Sequence, residues 1–132
     1  MNNREQAIRT WSMLCHISAL ASLFLPYGNI LGPLIVWQIK KNELPEIDRH
    51  GKESLNFQIT MSIIGIIFAI FLIGSLGYAA LFQSPFVMVS SGIGLSLIAG
   101  LIRFLSWILV AIAGIRAFNG GFFSYPSIKF IK

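Results

Sequence analysis

Residues 54–102 read SLNFQITMSIIGIIFAIFLIGSLGYAALFQSPFVMVSSGIGLSLIAGLI, with no Asp, Glu, Lys or Arg among them. About 20 apolar residues suffice to cross a hydrocarbon core of ~30 Å. This stretch is more than twice that length, so it has to cross, turn and re-enter. Upstream of it, residues 10–39, TWSMLCHISALASLFLPYGNILGPLIVWQI, form a second stretch free of charge. The composition agrees, at 55% hydrophobic and 11% charged, against about 25% charged in a typical soluble domain. Mean hydropathy is +0.75. The chain reads as an integral membrane protein whose 132 residues form one membrane domain.

Apart from Arg103, the charges fall into three clusters. Arg4, Glu5 and Arg9 form the first. Lys40, Lys41, Glu43, Glu46, Asp48, Arg49, Lys52 and Glu53 form the second. Arg116, Lys129 and Lys132 form the third. Cytoplasmic loops are enriched in Lys and Arg, and acids count little in that rule. All three clusters therefore belong on one side, and the uncharged connection around residues 83–92 belongs on the other. The expected fold is all-α: a bundle of four transmembrane segments at about 11–25, 30–39, 54–82 and 91–119. The chain is expected to be multi-pass in the plasma membrane, with both termini cytoplasmic. The net charge of +5 flanks apolar runs, so it points to anionic lipid headgroups rather than nucleic acid. No small-residue cleavage site follows the first apolar run, so that segment is expected to stay in the mature protein.

The first two segments are short. Fifteen residues rise about 22 Å and ten about 15 Å, less than the ~30 Å core. Pro26-Tyr27-Gly28-Asn29 between them is turn chemistry, and Gly32-Pro33 is read as the opening of the second segment, where Pro costs little. The pair is either a re-entrant hairpin that ends inside the membrane or two spans in a thinned bilayer. Asp48 is the expected N-cap of the third segment. Gly120-Gly121 and Pro126 end the fourth, ahead of the aromatic tail residues Phe122, Phe123 and Tyr125.

Few residues could carry chemistry. At ~100° per residue, Ser96, Gly100, Arg103 and Trp107 share one face of segment four, expected to pack inward, while Leu101, Leu105, Ile108 and Ile112 face lipid. An intramembrane Arg costs ~2.5–3.5 kcal/mol on insertion scales and usually finds a polar partner or water. Rise per residue sets Arg103 level with the hairpin turn, so Tyr27 and Asn29 are its expected partners. A structural tie is the first reading, and a solute or ligand site the functional alternative. His16, with no second His near it in sequence, is expected to hydrogen-bond a neighbouring helix rather than to hold a metal. Glu53, Asn56 and Thr60 share a face at the start of segment three; Lys40, Lys41 or Arg116 are their expected partners in a cytoplasmic cap, with a polar cavity mouth as the alternative. Cys15 is alone and reads as a small buried apolar residue. Catalytic and metal-binding signatures are absent, so no enzyme activity and no cofactor are expected.

Asn29-Ile30-Leu31-Gly32-Pro33-Leu34, Gly51-Lys52-Glu53 with Asn56-Phe57-Gln58, and Ala117 through Asn119-Gly120 to Tyr125-Pro126 together resemble the bacterial membrane family catalogued as domain of unknown function 4870. That family is similar to the twenty-kilodalton component of the chloroplast inner-envelope translocon. The resemblance covers nearly the whole chain and implies a four-helix membrane domain, but no activity. The expected function is a non-enzymatic membrane protein that assists transport or stabilises partner membrane proteins, acting as a homo-oligomer or with other membrane proteins. The alternatives are a small channel or transporter with its site near Arg103, and a membrane immunity or stress-response protein.

Overall fold

Asn2 starts the first helix. Its side chain accepts from Glu5 N at 2.8 Å, which satisfies one of the free N–H groups of the first turn. In the computed structural model, which describes residues 1–132, helix α1 runs Asn3–Ile17, and a tighter 3-10 stretch continues it over Ser18–Leu23. Helix α2 (Gly28–Lys40) turns back on it. A single 3-10 turn, Pro45–Ile47, leads into α3 (Asp48–Leu81), and α4 (Pro85–Phe118) follows. The fold is all-α with four helices. Two of them are long and apolar enough to cross a membrane; α1 and α2 are not, so the expectation of four spans is met only to that extent.

The chain divides into two compact units, Met1–Thr60 with Trp107–Lys132, and Met61–Ser106. In the first, the arms of the α1–α2 hairpin touch backbone to backbone. A Cβ at Gly32 would lie 2.1 Å from the Ser18 carbonyl oxygen, and one at Gly28 2.6 Å from that of Ala21, so only glycine fits there. Tyr27 makes the reversal with φ 60. Because α2 begins at Gly28, Pro33 is buried inside the helix rather than opening it. Cys15, Trp37, Leu44, Ile47 and Leu55 form the core, flanked by Trp11, Leu34 and Ile131.

The same unit holds the end of α4 and the tail. Gly120 has φ 80; its N–H donates to Ala117 O at 3.0 Å and that of Gly121 to Arg116 O at 2.8 Å. This is a Schellman ending, in which glycine supplies the left-handed residue. From Gly121 onward the chain is non-helical.

In the unit Met61–Ser106, α3 and α4 are joined by a turn at 82–84, with Gln83 at φ 49. Helix α4 therefore starts at Pro85, earlier than the expected start near 91. Pro suits the first turn of a helix, and Ser90 and Ser91 fold their hydroxyls back onto Val87 O, at 3.4 and 2.6 Å. The hydroxyls of this serine-rich stretch are thereby satisfied within the helix, which removes their competition for the helix's own hydrogen bonds. Large apolar side chains are exposed along both helices here, among them Ile66, Ile70, Phe71, Ile73, Ile93, Leu97 and Leu101.

Candidate functional site

The polar groups converge where the C-terminal tail lies along the first turns of α3. Glu53, Asn56 and Thr60 project from one face at spacings of three and four, as helical geometry requires. Asn56 Oδ1 accepts from Phe130 N at 2.9 Å and Ile131 N at 2.8 Å, while its Nδ2 donates to Ile131 O at 2.9 Å. Thr60 Oγ1 donates to Asn56 O at 2.8 Å and accepts from Ile128 N at 3.1 Å. Glu53 Oε1 accepts from Tyr125 N at 2.6 Å and Ser124 Oγ at 3.2 Å, and pairs with Lys129. The Phe57 and Tyr125 rings stack, with centroids 4.2 Å apart. Three side chains at the start of α3 thus take up backbone groups that a non-helical tail would otherwise leave unpaired.

His16 joins this cluster from α1. Its Nε2 lies 3.1 Å from His50 Nδ1 and its Nδ1 lies 3.2 Å from the Tyr125 hydroxyl. Each neutral imidazole has one donor and one acceptor nitrogen, so the three groups form a chain of hydrogen bonds running in one direction or the other. Burial, and after it the Glu53 carboxylate, raises the Tyr125 phenol well above its ordinary range. It stays a neutral hydroxyl.

His16 hydrogen-bonds a neighbouring helix, as expected, and its partner there is a second histidine, because folding brings the first turn of α3 against α1. The cluster corrects one expectation: the Glu53 face meets the tail, not Lys40, Lys41 or Arg116. Lys40 pairs with Glu43 at 2.5 Å and lies over the Trp11 ring; Lys41 lies over Trp37, and Arg116 over Phe123. Asp48, the first residue of α3, accepts from Trp37 Nε1 at 2.9 Å and pairs with Lys52 at 2.6 Å. Arg4 pairs with Glu46 at 2.8 Å and Arg9 with Glu5 at 3.4 Å. Every one of the five carboxylates is therefore engaged by a cation. No group of three or more His, Cys, Asp or Glu side chains is placed to hold a metal ion.

The remaining singled-out residues lie elsewhere. Asn29 Nδ2 donates to Gln58 Oε1 at 3.4 Å, which fixes the start of α2 beside α3. Tyr27 is exposed on the hairpin turn. Arg103 belongs to the unit Met61–Ser106 and is exposed on α4. Sequence reading missed His50, Gln58, Tyr125 and Lys129. The available signal was Asn56 and Thr60, polar residues a turn apart at the mouth of an apolar run, with a non-helical tail after Gly120-Gly121 left to satisfy.

No curated protein and no solved structure matches the chain. A family profile does, over residues 7–131, and it overturns the resemblance to domain of unknown function 4870 and to the chloroplast translocon component. The residues that carried that resemblance have packing duties. Gly32 allows the hairpin to close, Gly51 lies under the Trp37 ring with a would-be Cβ 2.4 Å away, and Asn56 holds the tail. Such blocks record how a chain folds, and fold alone does not carry function. The chain belongs to the magnetosome magnetite crystal formation protein family, MamF/MmsF, whose profile spans almost its full length.

Proposed function

We propose that this chain is a non-enzymatic integral membrane protein that serves magnetosome magnetite crystal formation by contacting and stabilising partner membrane proteins. The observation that carries this reading is the division of labour among its side chains. The polar groups of the cluster are spent on holding tail, hairpin and α3 together, and all five carboxylates are ion-paired. Carboxylates are the usual ligands of hard cations, and here each one has a cation of the chain itself as its partner. What the chain presents outward is apolar helix surface in the unit Met61–Ser106.

The α1–α2 hairpin enters one leaflet only in this reading. Its turn is tied through Asn29 to Gln58, about 8 Å along α3 from Glu53. Phe24, Leu25, Leu31, Ile35 and Ile39 are exposed on it, a surface suited to acyl chains. The basic clusters support cytoplasmic termini.

Deleting the gene in a magnetosome-forming cell is expected to alter the crystals and to lower the abundance of partner membrane proteins. Purified protein in liposomes is expected to pass no ions. The channel reading draws on the unpaired Arg103, and ion flux abolished by Arg103→Leu would establish it instead.

A further inference from the structure

The ten Lys and Arg residues sort by what holds them. Arg4, Arg9, Lys40, Lys52 and Lys129 pair with carboxylates. Lys41, Arg49 and Arg116 lie over aromatic rings. Lys132 is the terminal residue. Arg103 is left. It is exposed, and its guanidinium has no hydrogen bond, ion pair or ring contact. It stands about 27 Å from the Pro85 end of α4 and about 22 Å from the Phe118 end. A cation at such depth is costly and normally finds a partner.

The surface around it is open. Ser96 and Gly100 lie on the same helical face and are also exposed, and a Cβ added at Gly100 would meet nothing within 4 Å. The part of the expected inward-packing face from Ser96 to Arg103 is thus open, whereas Trp107 on the same face is half-buried. Small residues allow another helix backbone to approach closely.

We propose that this face of α4 docks a transmembrane helix of a different protein, one that carries an Asp or Glu at the depth of Arg103. Charge decides the occupant. A second copy meeting this face symmetrically would set one Arg103 against another, and this chain has no carboxylate anywhere in residues 54–102 to offer. Anionic headgroups lie at the bilayer surface, not at this depth. The inference rests on the proposed function and names the partner's chemistry.

The test uses the full chain, labelled with a donor fluorophore, in phosphatidylcholine vesicles. The probe is a leucine–alanine transmembrane peptide with one central Glu and an acceptor label, compared with peptides carrying Gln or Leu there. Energy transfer should report about tenfold tighter binding of the Glu peptide than the Leu peptide, a difference of about 1.4 kcal/mol. Arg103→Leu should abolish that preference with helicity unchanged, and Gly100→Leu should weaken binding through bulk alone. Arg103→Glu should transfer the preference to a peptide with a central Lys. Equal binding of the Glu and Leu peptides overturns the proposal, as does a Glu preference that survives Arg103→Leu. So does a homodimer that Arg103→Leu dissolves, or an Arg103→Leu effect confined to binding of phosphatidylglycerol. Absence of a Glu preference in the native chain, without ion flux, would remove this contact and leave the proposed function standing, whereas flux in the same vesicles would overturn the proposed function on its own.

Discussion

Asn56 makes three hydrogen bonds to the tail backbone from a site 1% exposed. A typical hydrogen bond contributes about 1 kcal/mol net, and an orphaned buried group costs more. Asn56→Leu strands two N–H groups and one carbonyl, so it should destabilise the protein by about 2–4 kcal/mol. Limited proteolysis should then cut the tail between residues 122 and 132 before any other segment; a tail that stays resistant would mean that Glu53 and Thr60 hold it alone. Tyr125 adds a pH dependence. Its phenol is raised above its ordinary value of 10.0 by burial first and Glu53 second, so the unfolded chain ionises it at lower pH than the folded chain does. The resulting stabilisation is fully present below about pH 10 and is lost as pH rises beyond it. Denaturant unfolding followed over about pH 8–11 should show that decline in the native chain and a shallower one in Tyr125→Phe, which at neutral pH loses about 1 kcal/mol with its hydrogen bond to His16.

At the scale of elements, the hairpin carries the sharpest expectation. The arms meet at Gly28 and Gly32 with no room for a side chain, so Gly32→Val should open the hairpin and cost several kcal/mol, as overpacking against backbone does. If the hairpin ends inside one leaflet, a cysteine at Phe24 should resist impermeant thiol reagents from either side, and a fluorophore there should be quenched by mid-chain spin-labelled lipids. Labelling from outside would make it a full span. The two long helices were legible because lack of charge is a local property of composition. The hairpin was legible because Pro26-Tyr27-Gly28 is local turn chemistry. The early start of α4 was not, since serines that bond back to Val87 look like loop residues until their hydroxyls are seen. The tail's place on α3 was not legible either. Glu53 and Tyr125 are 72 residues apart, and no periodicity within a single element reports a contact of that range. His16 and His50, 34 residues apart, escaped for the same reason, while the shared face of Glu53, Asn56 and Thr60 did show.

At the scale of the whole molecule, charge placement supports the proposed orientation. All ten cations lie outside residues 54–102 and so away from the turn that joins α3 to α4; nine fall in the three clusters and Arg103 stands alone. Lys and Arg near short loops hold a segment end in the cytoplasm. The proposed orientation therefore puts the clusters in the first turns of α1, from the end of α2 into α3, and from the end of α4 into the tail on the cytoplasmic face, and the turn at 82–84, with no charge, opposite. Ser84 is in that turn, Asn42 lies just past the end of α2, and Ser127 is in the tail. In a background where Cys15 is replaced by Ala, a cysteine at Ser84 should react with an impermeant maleimide added outside intact cells or vesicles. Cysteines at Asn42 and Ser127 should react only after the membrane is opened. Placing Asn42 outside would require α1 and α2 to act as one crossing, and neither the exposed turn at Tyr27 nor the Asn29–Gln58 contact is compatible with that. External labelling at Asn42 would overturn the orientation and the one-leaflet hairpin together. Labelling at Ser127 alone would part the tail from the first turns of α3, and so would overturn its docking on Glu53, Asn56 and Thr60 as well as the crossing of α4.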